Sequence, residues 1–137
     1  MKPRILLVED DLTLASLYQM RMETEGFTVQ HCPNGEEALQ AARDFKPNLI
    51  ILDIMMPRMN GFDVLDIIRN TPETKDIKVI ILSAMGQPED QARAKELGAN
   101  EYMVKSQVVI ADVMDRLRRH LGIETPPAKS STPGETA

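Results

Sequence analysis

The alternation of short apolar runs with helically spaced apolar residues predicts a doubly wound α/β sandwich, five strands alternating with five helices around a central five-stranded parallel sheet. Three observations predict it. Ile5-Leu6-Leu7-Val8, Leu49-Ile50-Ile51-Leu52 and Val79-Ile80-Ile81-Leu82 are continuously apolar, as strands covered on both faces must be. Between such runs the apolar residues recur every three or four positions, the spacing of a helix with one buried stripe. Gly and Pro fall at the junctions, giving the punctuation of repeated βα units.

The elements follow in order. After the first strand, Leu14, Tyr18 and Met22 mark a helix that Gly26 ends. A second strand over Phe27 to His31 leads into the turn Pro33-Asn34-Gly35, and Ala38, Ala42 and Phe45 form the stripe of a second helix that stops before Pro47. The third strand ends at Asp53, and the breaker-rich loop Met55 to Gly61 precedes a third helix marked by Val64, Leu65 and Ile68. Residues Thr71 to Asp76 connect it to the fourth strand, which ends at Ser83. The fourth helix starts near Pro88 and ends at Gly98. Its stripe (Ala92, Ala94, Leu97) is thin, so it should be the least firmly anchored helix. Tyr102-Met103-Val104 is the last strand, and Ile110, Val113, Met114, Leu117 and Leu121 give the last helix a strong stripe. Residues 1–122 thus form one domain. Residues 123–137, rich in Pro, Ser and Thr, read as a disordered tail or the start of a linker.

Bulk composition narrows the function. With 16 basic and 21 acidic side chains the net charge is −5, which disfavours direct binding to nucleic acid or anionic membrane. The basic run Arg116-Leu117-Arg118-Arg119-His120 is expected to be a solvated face near a helix C-terminus. The single cysteine, Cys32, excludes an internal disulfide and reads as a small filler at a strand end. Met20, Met22 and Met114 are expected to be core filler. Lys2 and Arg4 precede an apolar run that meets acids at once, unlike a signal peptide, and no stretch is long enough to span a bilayer. The expected location is the cytoplasm.

The chemistry lies at the strand ends. In a parallel sheet, ligands sit beyond the carboxyl ends of the strands, where Glu9, Asp10 and Asp53 would crowd together. Asp11 is best explained as the cap of the first helix, and a cap needs only one acid. Three carboxylates so close cannot all stay ionised without a cation. Hard oxygen donors suit Mg²⁺, or Mn²⁺ in its place, with one carboxylate left to react. Ser83 and Lys105 each have a bland explanation, a cap and a surface lysine. At two successive strand ends they jointly read as a hydroxyl donor and a point charge for anionic oxygens. Tyr102 is most simply a partly buried aromatic.

The segments Ile5 to Asp11, Pro47 to Gly61, Ile81 to Ala84 and Gly98 to Lys105 together resemble the receiver domain of two-component response regulators, motif by motif and in order, from about Lys2 to Gly122. The resemblance implies a flavodoxin-like fold and a stand-alone receiver similar to the chemotaxis regulators, or the first domain of a longer regulator. It implies Asp53 as phosphoacceptor, and Mg²⁺ held by Glu9, Asp10, Asp53 and the backbone carbonyl of Met55. Ser83 and Lys105 would contact the phosphoryl group, the small Ala84 next to Ser83 would leave room for the incoming donor, and Tyr102 would be the switch aromatic. A sensor histidine kinase or phosphotransfer protein would be the donor. The target would be a protein engaged through the fourth helix, fifth strand and fifth helix, with the chain a monomer or a phosphorylation-induced dimer. One departure stands out. Ser106 follows Lys105 where the family usually has a proline after a cis peptide. A cis bond before a non-proline residue costs roughly 2.5–4 kcal/mol, so the loop should be trans and differently shaped, or strained.

Two other classes compete. A phosphatase of the haloacid-dehalogenase type needs a general acid two residues after the nucleophile, and Met55 stands there. The chain is therefore not expected to turn over an external substrate, beyond slow hydrolysis of its own phosphoaspartate. A receiver-shaped interaction module that works without phosphate is the alternative, against which the intact acid set argues.

Overall fold

The computed structural model describes residues 2–123, so the expected tail lies outside the described residues but for Ile123. Five strands, β1 (Arg4–Val8), β2 (Thr28–Cys32), β3 (Leu49–Leu52), β4 (Lys78–Ser83) and β5 (Glu101–Val104), form one parallel sheet in the order β2-β1-β3-β4-β5. Five helices alternate with them: α1 (Leu12–Thr24), α2 (Gly35–Asp44), α3 (Gly61–Arg69), α4 (Pro88–Glu96) and α5 (Ile110–Leu121). This is the doubly wound sandwich that the alternation predicts.

Successive strand residues face opposite layers, so each apolar run feeds two cores. Ile5, Leu7, Leu49, Ile51, Ile80 and Leu82 pack with residues of α1 and α5, among them Met22, Val113 and Leu117. Leu6, Val8, Ile50, Leu52, Val79 and Ile81 pack with α2 and α3 and with Ala94 of α4. That burial on both sides explains why the runs do not alternate with polar residues.

Helix starts are set locally. The side chains of Asp11, Asn34 and Asn60 accept from the backbone N–H of Leu14, Glu37 and Asp63. Gly61 opens α3 against β3, and a Cβ there would run into the Asp53 carbonyl oxygen. Glycine is what lets α3 start so close to the strand end.

Four expectations are corrected. The second strand lies one residue later than read, because Phe27 is taken by a hydrogen bond to Met22 that closes α1. Met20 is 66 % exposed rather than core filler; α1 carries apolar residues on both faces, so periodicity could not single out the buried one. On α4 only Ala94 is buried, Leu97 is partly covered and Ala92 is exposed, so the stripe is thinner still. The basic run of α5 is a solvated face only in part, with Arg119 exposed. Arg118 is 4 % exposed and pairs with Glu25, while Arg116 and His120 both engage Glu101.

Candidate functional site

The site forms where β1 and β3 end side by side. Their register pairs Val8 with Leu52, and the Asp53 N–H donates to the Val8 carbonyl at 3.0 Å. The next residues, Glu9 and Asp53, therefore share one edge of the sheet. Both are 4 % exposed, whereas Asp10 is open to solvent. One carboxylate oxygen from each of Glu9, Asp10 and Asp53 lies within 4.8 Å of the others, as the apolar runs imply.

Lys105 reaches into this cluster from the end of β5. Its Nζ lies 2.8 Å from Glu9 Oε1 and 3.0 Å from Asp53 Oδ2. No cis peptide occurs among the described residues, and Lys105–Gln107 forms a single 3₁₀ turn. Of the two outcomes that Ser106 left open, the loop takes the trans form, and the lysine still reaches the acids.

The remaining carboxylate oxygens are used locally. Glu9 Oε2 accepts from the Asp11 N–H at 3.1 Å, and Asp53 Oδ1 accepts from the Met55 N–H at 3.3 Å. Burial pushes the Glu9 carboxyl up from its ordinary value, more than the Lys105 ammonium and the Asp11 N–H pull it down. Burial also opposes the charge on Lys105, but its bonds to Glu9 and Asp53 prevail and raise its pKa. Three carboxylates against one ammonium leave excess negative charge in a half-buried place. That is the donor set and the imbalance a hard divalent cation relieves, so these residues fit Mg²⁺.

Ser83 and Tyr102 lie together but are not joined directly to the acids. Ser83 is fully buried at the end of β4, and its Oγ accepts from the Met85 N–H at 3.1 Å. Tyr102, half-buried on β5, donates its hydroxyl to the Met85 carbonyl at 2.6 Å. The two hydroxyls thus bind the N–H and the carbonyl of one residue, Met85. Sequence reading missed Met85, whose backbone carries no side-chain signal. It also missed His31, whose Nε2 lies 2.7 Å from the Glu9 carbonyl oxygen. Beside the cluster, Asp10, Met55, Met56, Phe62, Met85 and Arg93 help line a cavity of about 530 Å³. The Met55 side chain is 58 % exposed and stands where a hydrolase would need an acid.

Comparison with known proteins gives the same reading. The model of the response regulator receiver domain matches residues 5–118, and the chain belongs to that family. It is similar to the DNA-binding dual master transcriptional regulator RpaA of Synechocystis, with 35 % identity over 120 residues, covering 85 % of this chain and 50 % of that protein. The DNA-binding response regulator MtrA of Mycolicibacterium paratuberculosis is 35 % identical over 123 residues, covering 88 % of this chain and 53 % of that one. The chain spans about half the length of these curated relatives.

Among solved structures, the signal receiver domain of a LuxO repressor protein from Vibrio parahaemolyticus has a TM-score of 0.81 at 34 % identity, covering 89 % of this chain and 92 % of that one. The non-phosphorylated HemR receiver domain from Leptospira biflexa also scores 0.81, at 32 % identity, covering 93 % and 100 %. Membership places residues 5–118 among the receiver domains of two-component signalling. No helix among the described residues is long and apolar enough to cross a membrane.

Proposed function

We propose that residues 1–122 form a phosphorylation switch in which Asp53 accepts a phosphoryl group from a histidine kinase or phosphotransfer protein. The observation that carries this reading is the register of β1 and β3, which gathers Glu9, Asp10 and Asp53 within 4.8 Å with Lys105 across two of them. Glu9, Asp10 and Asp53, with the Met55 carbonyl, would hold Mg²⁺ or Mn²⁺. When bound, that cation screens negative charge on the carboxylates and on phosphoryl oxygens.

An oxygen of Asp53 attacks phosphorus as the phosphorus–nitrogen bond to the donor imidazole breaks. The bonding pair stays with the imidazole, which takes up a proton as it leaves. Repulsion between carboxylate and phosphoryl group is the main obstacle, and Lys105, 3.0 Å from Asp53, reduces it. The phosphoaspartate adds charge and acceptor oxygens. Ser83 Oγ already accepts from Met85 and has its proton to donate, so it would turn toward the new oxygens. That motion would release the Met85 N–H and disturb the backbone that Tyr102 holds, passing the change to α4, β5 and α5. The thin anchoring of α4, with Ala94 its one buried residue, supports its role as the element that moves.

The output would be an altered contact with a protein target in the cytoplasm, with the chain a monomer or a dimer formed on phosphorylation. The relatives' DNA binding is not assigned to this chain, whose net charge of −5 disfavours it. The reach of Lys105 favours the active switch over a passive module, since the Ser106 departure does not displace the ammonium. Incubation with acetyl phosphate and Mg²⁺, followed by peptide mapping, should place one phosphoryl group on Asp53. A label elsewhere, or none, would reject the proposal.

A further inference from the structure

We infer that His31 is a positioning residue for the metal-binding acids, its imidazole fixing the peptide that joins Glu9 to Asp10. The inference rests on the magnesium role proposed above and concerns what holds that site in shape. It starts from the register of β1 and β2, which pairs Leu7 with His31 and Val8 with Cys32. Beyond the last pair, β2 grips Glu9 from both ends. The Glu9 N–H donates to the Cys32 carbonyl at 3.0 Å, and the Glu9 carbonyl meets His31 Nε2 at 2.7 Å.

A carbonyl oxygen can only accept, so Nε2 must carry the proton in this contact. That nitrogen is therefore occupied and serves neither as a metal ligand nor as a base. Its role is mechanical.

Asp10 is the reason such a hold matters. Glu9 and Asp53 are buried and both touch Lys105. Asp10 is exposed, and no hydrogen bond is seen to its carboxylate among the described residues, so the backbone, which sets the direction of its Cα–Cβ bond, is the main constraint on where it points. That backbone lies between the end of β1 at Val8 and the start of α1 at Leu12, outside both regular ladders. Repulsion from the two neighbouring carboxylates favours turning Asp10 outward. The bond from His31 opposes rotation of the Glu9–Asp10 peptide and keeps Asp10 facing Asp53. Groups that orient metal ligands in this way typically change affinity 10–100-fold when removed.

The test is calorimetric titration of the whole chain with magnesium chloride, comparing wild type, His31→Phe and His31→Gln. The Phe variant keeps a ring but loses the donor, and should bind Mg²⁺ about tenfold more weakly. The Gln variant can place an amide donor near the Nε2 position and should restore affinity. A group that merely satisfies a carbonyl would lower the thermal midpoint without moving the dissociation constant. Nitrogen NMR of the wild-type imidazole gives a readout needing no variant: the neutral ring should carry its proton on Nε2. A proton on Nδ1, or unchanged affinity in His31→Phe, would overturn the inference. If wild type itself takes up no Mg²⁺, the function proposed above fails and takes this role with it. Uptake by wild type with equal affinity in His31→Phe removes His31 alone.

Discussion

At the amino-terminal edge of the sheet Arg4, Arg69 and Arg118 meet carbonyls or a carboxylate, whereas at the carboxyl-terminal edge three carboxylates share one ammonium. Arg4 donates to the Phe45 and Lys46 carbonyls, Arg69 to the Gly98, Lys75 and Ile77 carbonyls, and Arg118 pairs with Glu25. These cations tie together the loops that enter the strands, and the excess charge seen at the other edge does not arise here, although Arg118 Nη1 is buried without a partner among the described residues. At the other edge Glu9, Asp10 and Asp53 crowd around Lys105 with negative charge left over. A closed charge network holds a fold in place. An open one stores a demand that a cation and a phosphoryl group can meet, so the balance of charge separates the structural edge from the functional one.

Four experiments bear on that contrast. The largest effect should come from Asp53→Asn, which removes the nucleophilic oxygen while keeping the shape; labelling by acetyl phosphate should vanish while circular dichroism stays as in wild type. At the opposite edge, Arg118→Ala removes a buried guanidinium from the partly buried Glu25, which Arg21 also pairs. It should cost about 2 kcal/mol in urea unfolding, the scale for a hydrogen bond to a charged group, with Mg²⁺ affinity unchanged. Loss of Mg²⁺ binding in that variant would erase the distinction between the edges.

Glu9→Gln should separate stability from function within one site. Burial raises the Glu9 carboxyl, so its charge is a burden to the metal-free fold. The variant should unfold at a higher temperature without Mg²⁺, yet bind Mg²⁺ at least about tenfold more weakly. A lower melting temperature would show that the Lys105 bond outweighs burial.

The smallest effect concerns Cys32, which lies between the edges in behaviour, buried and without a charge partner. Burial pushes its thiol from 9.0 up to about 11, with the Glu37 carboxylate adding to the rise. The folded chain keeps this proton where the unfolded chain releases it. The stabilising contribution is therefore complete below 9.0 and is lost as pH climbs through about 11. Alkylation of the native thiol by iodoacetamide should keep accelerating across that window, after a denatured control has levelled off. A native profile that levels with the control would contradict the burial.

Much of this was legible in the chain because strand ends and helix caps are written locally. Leu49 to Leu52 is apolar throughout because both faces are covered, and Asp53 follows because the strand stops there. Asp11 announces itself as a cap by standing before a helical stripe. Readings failed where one pattern serves two environments. Arg118 sits in a basic run that looks solvated, and only the approach of Glu25, from the other end of the chain, buries it. Met20 and Met22 are chemically alike on a helix with apolar residues on both faces, and the sheet decides which is covered.

By itself, the order of residues determined which side chains stand at the end of each strand, because hydrophobic period and turn residues act over a few positions. Tertiary structure decided which ends become neighbours. It set β1 between β2 and β3, brought Lys105 across 52 positions to Asp53, and laid His31 against the Glu9 carbonyl. Those meetings depend on backbone hydrogen bonds between strands far apart in the chain, and such bonds are made by groups that every residue carries alike.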